Sequence, residues 1–239
     1  MKKAEKELLA FVRDRLARAC DPAYREFVKP YIKTDKNILG VRIPILHKLA
    51  KEIALKDPDA YLVEREDAVY EETLLRGLVI AYARKDNAWR FEALRAFIPR
   101  VSDWAVCDVA CAALKPLRRE REAFLVFLQP YLTSKKEFEI RFALVALMDH
   151  FLTPEYAGRF FKEISKADTT AYYAAMGLAW GIATAMRKFP KETADYLKKT
   201  KFSPELKKLM IKKIRESRAV PVEIREIAEN ILLDKGGRK

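Results

Sequence analysis

Trp104 and Asp108 stand four residues apart in Trp104-Ala105-Val106-Cys107-Asp108. On a helix that spacing places an indole and a carboxylate on one face, an apolar wall beside a negative charge. Val106, Val109, Ala110 and Ala113 fall on the opposite side and suit a core. The same spacing also fits an indole packed inward and a carboxylate paired with a neighbouring helix. Arg141 and Glu139 are the only charges between Phe138 and Met148. A cation in so apolar a helix requires a partner or a groove. Glu137, one turn earlier, is one candidate; Asp108 or a phosphate is the other. Trp180 lies in Met176-Gly177-Leu178-Ala179-Trp180-Gly181-Ile182-Ala183, one large ring among small residues. That pattern suits close helix packing, and it equally lets a ligand approach a helix whose one protruding group is aromatic. Arg187 and Lys188 follow two turns later, placed to reach phosphates. Tyr31, in Pro30-Tyr31-Ile32-Lys33 before a turn at Gly40, reads by itself as ordinary core or interface.

The cysteines are Cys20, Cys107 and Cys111, an odd count without paired spacing, which points to reduced thiols and a cytoplasmic protein. Cys107 and Cys111 are one helical turn apart, but only His47 and His150 supply imidazole. Small buried thiols are the expectation, with no metal and no cofactor.

The elements that must position these groups are helices. Half of the 239 residues are hydrophobic, only 7 are glycine, and Ala, Leu, Lys, Arg and Glu dominate. Apolar periodicity predicts helices over Lys3–Ala19, Pro22–Ile32, Pro44–Lys56, Val69–Arg84, Ala88–Phe97, Trp104–Ala113, Arg119–Leu128, Lys136–Phe151, Glu155–Ser165, Ala171–Arg187, Glu192–Lys199, Pro204–Glu216 and Val222–Leu233. Proline marks helix starts at Asp21-Pro22, Asp57-Pro58, Thr153-Pro154, Ser203-Pro204 and Val220-Pro221, several after a capping residue. Prolines divide the chain into irregular blocks of about two helices, close to HEAT or armadillo units in size. No Gly/Ser/Pro linker intervenes. The expectation is an all-α fold, one domain over residues 1–239, built as a HEAT/ARM-like α-solenoid of stacked antiparallel helix pairs with a concave basic groove. A compact helical bundle is the alternative.

Lys plus Arg number 47 against 34 Asp plus Glu, a net charge of +13. Such a surplus favours a polyanionic partner, although part of it, the Lys235–Lys239 run, also fits a solvated tail. The start, Met1 to Glu7, is charged and lacks a signal core, so no secretion is implied. Thr169–Met186 carries no charge, but its Ala, Gly, Thr and Tyr content transfers weakly into lipid. A helix buried on all sides fits it better than a membrane span.

Taken in order, Tyr31-Ile32-Lys33 with Leu39-Gly40-Val41 and Pro44, Trp104-x-x-x-Asp108, Arg141 in its apolar helix, and Ala179-Trp180 followed by Lys188-Phe189-Pro190 resemble the AlkD-like alkylpurine DNA glycosylases, a bacterial HEAT-like repeat family. The resemblance runs along most of the chain. It implies that Asp108 is the catalytic carboxylate, that Trp104, Trp180 and Tyr31 line the site, and that Arg141 binds near the lesion or positions Asp108. The chain departs from the family's pattern in two places. Lys36-Asn37-Ile38 stands where members often have Phe-Pro before the Leu-Gly, and Asp103 stands where members often carry tryptophan. These departures bear on lesion preference and DNA docking rather than on the fold.

The chemistry is coherent. An N3- or N7-alkylated purine is cationic and already a good leaving group. Its departure leaves oxocarbenium-like charge on the sugar, which one preorganised carboxylate stabilises while orienting water. The expected function is therefore excision of alkylated purines from double-stranded DNA by a monomer, with the Lys and Arg residues holding phosphates. A catalytically inactive DNA-binding repeat protein and a protein-interaction scaffold are the alternatives.

Overall fold

The computed structural model describes residues 3–63 and 65–233; the Lys235–Lys239 run lies outside them. Among the described residues there are fourteen α-helices and no strand, only an isolated bridge between Asn37 and Val69. The chain divides into two compact units, Met1–Glu120 and Arg121–Lys239.

The first unit contains α1 (Lys3–Arg18), α2 (Pro22–Val28), α3 (Ile43–Lys56), α4 (Pro58–Leu62), α5 (Tyr70–Tyr82), α6 (Asn87–Phe97) and α7 (Trp104–Ala113). Helices α3, α5 and α7 pack side by side as a row, with α1, α4 and α6 behind them. Alternate helices thus return the chain, as in stacked helical repeats. The α5 helix is enclosed by this arrangement, with Tyr70 to Ala81 all buried. Gly77 permits its approach to α7: a Cβ there would stand 2.6 Å from the Ala110 Cβ and 2.9 Å from Phe97 Cζ. Burying side chains such as Leu75, Leu78 and Ile80, each 0% exposed, contributes about 1.5–3 kcal/mol apiece.

The buried charges of α5 organise the loops around it. Arg76 donates to both oxygens of Asp67 (2.8 and 3.1 Å) and to the carbonyls of Leu62, Val63 and Arg65. Glu72 accepts from Arg13 Nε at 2.7 Å and from the Ala68 N–H at 3.2 Å.

The second unit contains α8 (Arg121–Leu132), α9 (Glu137–Phe151), α10 (Ala157–Ile164), α11 (Tyr172–Lys188), α12 (Pro190–Lys199), α13 (Pro204–Glu216) and α14 (Val222–Leu233). The pattern repeats, with α9, α11 and α13 forming the row and α8, α10, α12 and α14 packed against it. The all-α fold of stacked helix pairs expected from the sequence is the one observed.

Three of the proline starts are capped as expected. Asp21, Asp57 and Ser203 accept from the N–H of Tyr24, Ala60 and Leu206, each three residues on. After Thr153-Pro154 the helix begins only at Ala157. The start marked at Asp57-Pro58 opens a helix of only five residues, α4, for which periodicity gives no range, and α8 starts after a 3₁₀ segment (Lys115–Glu120) and continues through Pro130. Helix α11 corrects an expectation. It is not buried on all sides, because Tyr172 is 58% and Trp180 38% exposed. Among the described residues no helix is long and apolar enough to cross a membrane.

Candidate active site

The chain reaches the site through α2 and the 3₁₀ turn Lys29–Tyr31, neither of which buries a residue fully. What holds them is polar and backbone geometry rather than core burial. Asp21 caps α2 and pairs with Arg42 at 2.8 Å, whose guanidinium lies 4.9 Å from the Tyr24 ring centre. The Tyr24 N–H and then Arg42 hold the Asp21 carboxyl below the usual carboxylate range. Gly40 takes φ +81°, a conformation that disfavours other residues. Its missing side chain makes room for α2, since a Cβ there would lie 2.4 Å from the Asp21 carbonyl oxygen.

Glu71, at the start of α5, fixes the same loop. Its Oε1 accepts from the N–H groups of Leu39, Gly40 and Val41 at 3.1, 2.8 and 3.2 Å. The Leu39-Gly40-Val41 segment is therefore a backbone cradle for a buried carboxylate. Three converging donors offset the cost of taking that charge out of water.

Helix α7 presents Trp104 and Asp108, both half-buried, on one face, with the buried Val106, Ala110 and Ala113 on the opposite side and the buried Cys107 and Cys111 bordering it. Val109, read from the sequence as core, is also only half-buried and shares a pocket with Trp104. Cys107 and Cys111 are both buried. The start of α7 is pinned by Asp103, which is 1% exposed. Its Oδ1 accepts from the Ala105 N–H at 2.8 Å and from the Tyr70 hydroxyl at 2.6 Å, while Oδ2 accepts from the Lys33 N–H at 3.4 Å. Burial, then the Asp103 charge, push the Tyr70 phenol far up, so it stays a neutral donor. The indole N–H of Trp104 donates to the Tyr31 carbonyl at 2.8 Å.

The result is a cavity of about 380 Å³ at the N-terminal ends of α3, α5 and α7, lined by Tyr24, Phe27, Tyr31, Tyr70 and Trp104 among mostly apolar neighbours. Of the residues singled out in the sequence, Tyr31 and Trp104 are brought together here, with Asp108 one turn along from Trp104. Sequence reasoning missed Asp103, Glu71 and Phe27. Asp103 carried one signal, the capping-type residue directly before an apolar helix.

In the second unit, Arg141 on α9 is 6% exposed and donates to the Tyr173 carbonyl at 3.1 Å. Glu137, proposed from spacing as the partner of Arg141, accepts from the Tyr173 N–H. Both side chains therefore grip the start of α11. On α11, Trp180 protrudes between the buried Ala179 and Gly181. Two turns on, Arg187 is exposed, and exposed Lys188 donates to the Leu152 carbonyl at 3.5 Å. No group of three or more potential metal ligands occurs among the described residues.

Fold and site together define an all-helical protein of stacked helix pairs, in which α7 displays an aromatic ring and a carboxylate one turn apart. The chain belongs to the DNA alkylation repair enzyme family, whose sequence profile matches residues 12–213. A comparison with curated proteins finds no match. Membership supports a role in DNA repair, with DNA as the substrate.

Proposed function

We propose that this protein is a DNA glycosylase that excises cationic N3- or N7-alkylated purines from double-stranded DNA. The observation that carries the reading is the half-buried face of α7, where Asp108 stands one turn from Trp104 and Trp104 is tied to Tyr31. As the purine departs, the Asp108 carboxylate meets the oxocarbenium-like charge on the sugar and orients the attacking water. The face of Trp104 lies against the cationic base, a cation–π interaction that favours the alkylated over the neutral purine, and Trp180 offers the DNA a further aromatic face from the second unit. Tyr31 lines the site. Arg141 acts near the lesion as a cationic helper, and Arg187 and Lys188 take phosphates, which makes binding steeply salt-dependent. The protein acts as a cytoplasmic monomer, and the reaction uses neither metal nor cofactor.

The test is release of free base from duplex DNA carrying 7-methylguanine or 3-methyladenine. The wild type is expected to release base, and Asp108→Asn to slow release on the order of 100-fold or more. Binding without release by the wild type would leave a non-catalytic DNA-binding protein. Release unaffected by Asp108→Asn would remove Asp108 from the mechanism.

A further inference from the structure

Phe27 has an environment that folding does not explain. It is 67% exposed on α2, a helix with no fully buried residue. Apolar burial is therefore not what this aromatic contributes. Its ring centre lies 6.1 Å from that of Tyr31, itself 61% exposed, and 6.5 Å from that of Tyr24. All three rings line the cavity that holds Trp104. The segment is nevertheless fixed, through Gly40, the Asp21–Arg42 pair and the Trp104–Tyr31 hydrogen bond. A rigidly held pair of exposed aromatics is a costly surface unless something covers it.

The surrounding charge says what does. Lys29 and Lys33 flank Tyr31 two residues on either side and Lys36 follows, three cations against the one exposed carboxylate of Asp35 in the same stretch. The acidic residues Asp21 and Glu26 are paired with Arg42 and Arg25. Aromatic faces interleaved with cations suit nucleic acid, whose bases stack on rings while its phosphates meet lysine. They suit an apolar protein partner less well.

We infer that Phe27 is a DNA-recognition residue: its ring packs into the base stack beside the nucleotide that is cut, extending the site beyond Tyr31. This rests on the glycosylase reading for the nucleotide being cut, but the contact itself can be read without catalysis. Stacking of this kind is sequence-tolerant and wedges neighbouring bases apart.

The experiment uses the full chain and a duplex with a stable abasic analogue next to 2-aminopurine, whose fluorescence rises when it loses its stacking partner. Binding is followed in parallel by anisotropy. At saturating wild-type protein the fluorescence rises. Phe27→Ala loses most of that rise and binds about tenfold more weakly, Phe27→Trp retains both signals, and the melting temperature of each variant stays near that of the wild type. A Phe27→Ala protein with unchanged fluorescence and affinity overturns the inference, and if its wild type still releases methylated base the glycosylase reading stands. A Phe27-dependent rise in a protein that releases no base sustains the inference while the glycosylase reading falls. A wild type that binds no DNA removes both.

Discussion

The indole N–H of Trp104 donates to the main-chain carbonyl of Tyr31 at 2.8 Å, joining residues 73 positions apart. One hydrogen bond thereby sets the rotation of the indole and anchors the turn that carries the exposed tyrosine. Trp104→Phe keeps a ring and removes the donor. A net hydrogen bond is worth about 0.5–1.5 kcal/mol, so kcat/KM for base release is expected to fall on the order of fivefold. Trp104→Ala, which removes the wall as well, is expected to lose substantially more. Equal activity of Trp104→Phe and wild type in a base-release assay would show that the hydrogen bond positions nothing the reaction uses.

Asp103 holds four donors from three segments: the N–H groups of Ala105 and Val106, the Tyr70 hydroxyl and the N–H of Lys33. Asp103→Ala removes a helix cap, worth about 1 kcal/mol. It also strands the buried Tyr70 hydroxyl, worth about 1–3 kcal/mol. A loss of about 2–4 kcal/mol in urea unfolding is expected. Tyr70→Phe in the Asp103→Ala background is expected to recover part of it, because no hydroxyl is then left unsatisfied. Strict additivity of the two substitutions would show that the 2.6 Å contact carries no coupling.

How much of this was legible follows from the range of the interactions. The shared face of Trp104 and Asp108 is a local, one-turn relationship, and α7, α13 and α14 start and end where periodicity placed them. Asp103 stood out only as a departure from the family's tryptophan. Its grip on Tyr70 and Lys33 was not visible, because those partners are distant in sequence. Glu71 was hidden for the same reason: its three donors lie about thirty residues earlier. Phe27 fell in a predicted helix, Pro22–Ile32, whose apolar side reads as core. Only the structure shows that α2 has no core beneath it. Helix α11 was misjudged because Trp180, surrounded by small apolar residues, is also what a buried helix would look like.

Gly40 offers a test of how α2 is held. At φ +81° a side chain costs about 1–2 kcal/mol in backbone strain alone. The added Cβ would also meet the Asp21 carbonyl oxygen at 2.4 Å, a contact that only a backbone shift relieves. Gly40→Ala is therefore expected to lose about 2 kcal/mol or more of stability, with α2 displaced locally. Hydrogen exchange should quicken at the amides of α2 and the Lys29–Tyr31 turn while those of α5 keep their protection. Unchanged exchange in α2 would show that its seat does not depend on this glycine.

His47 gives the first unit a pH dependence. Its Nδ1 lies 2.6 Å from the Tyr82 hydroxyl. Burial first, then the charges of Lys51 and Lys115, hold its pKa below the usual 6.5, while burial raises that of Tyr82. The unfolded chain therefore takes up a proton near pH 6.5 while the folded chain still resists it. Stability from this group is present above that pH and is lost as the pH falls from about 7 toward the folded value. His47→Gln keeps a hydrogen-bonding group beside Tyr82 and cannot titrate. Its melting temperature, relative to wild type, is expected to rise between pH 7 and pH 5. Because His47 is partly exposed and its cationic neighbours are screened, added salt should narrow the difference. Parallel melting curves for the two proteins across that range would show that His47 titrates alike in the folded and unfolded chain.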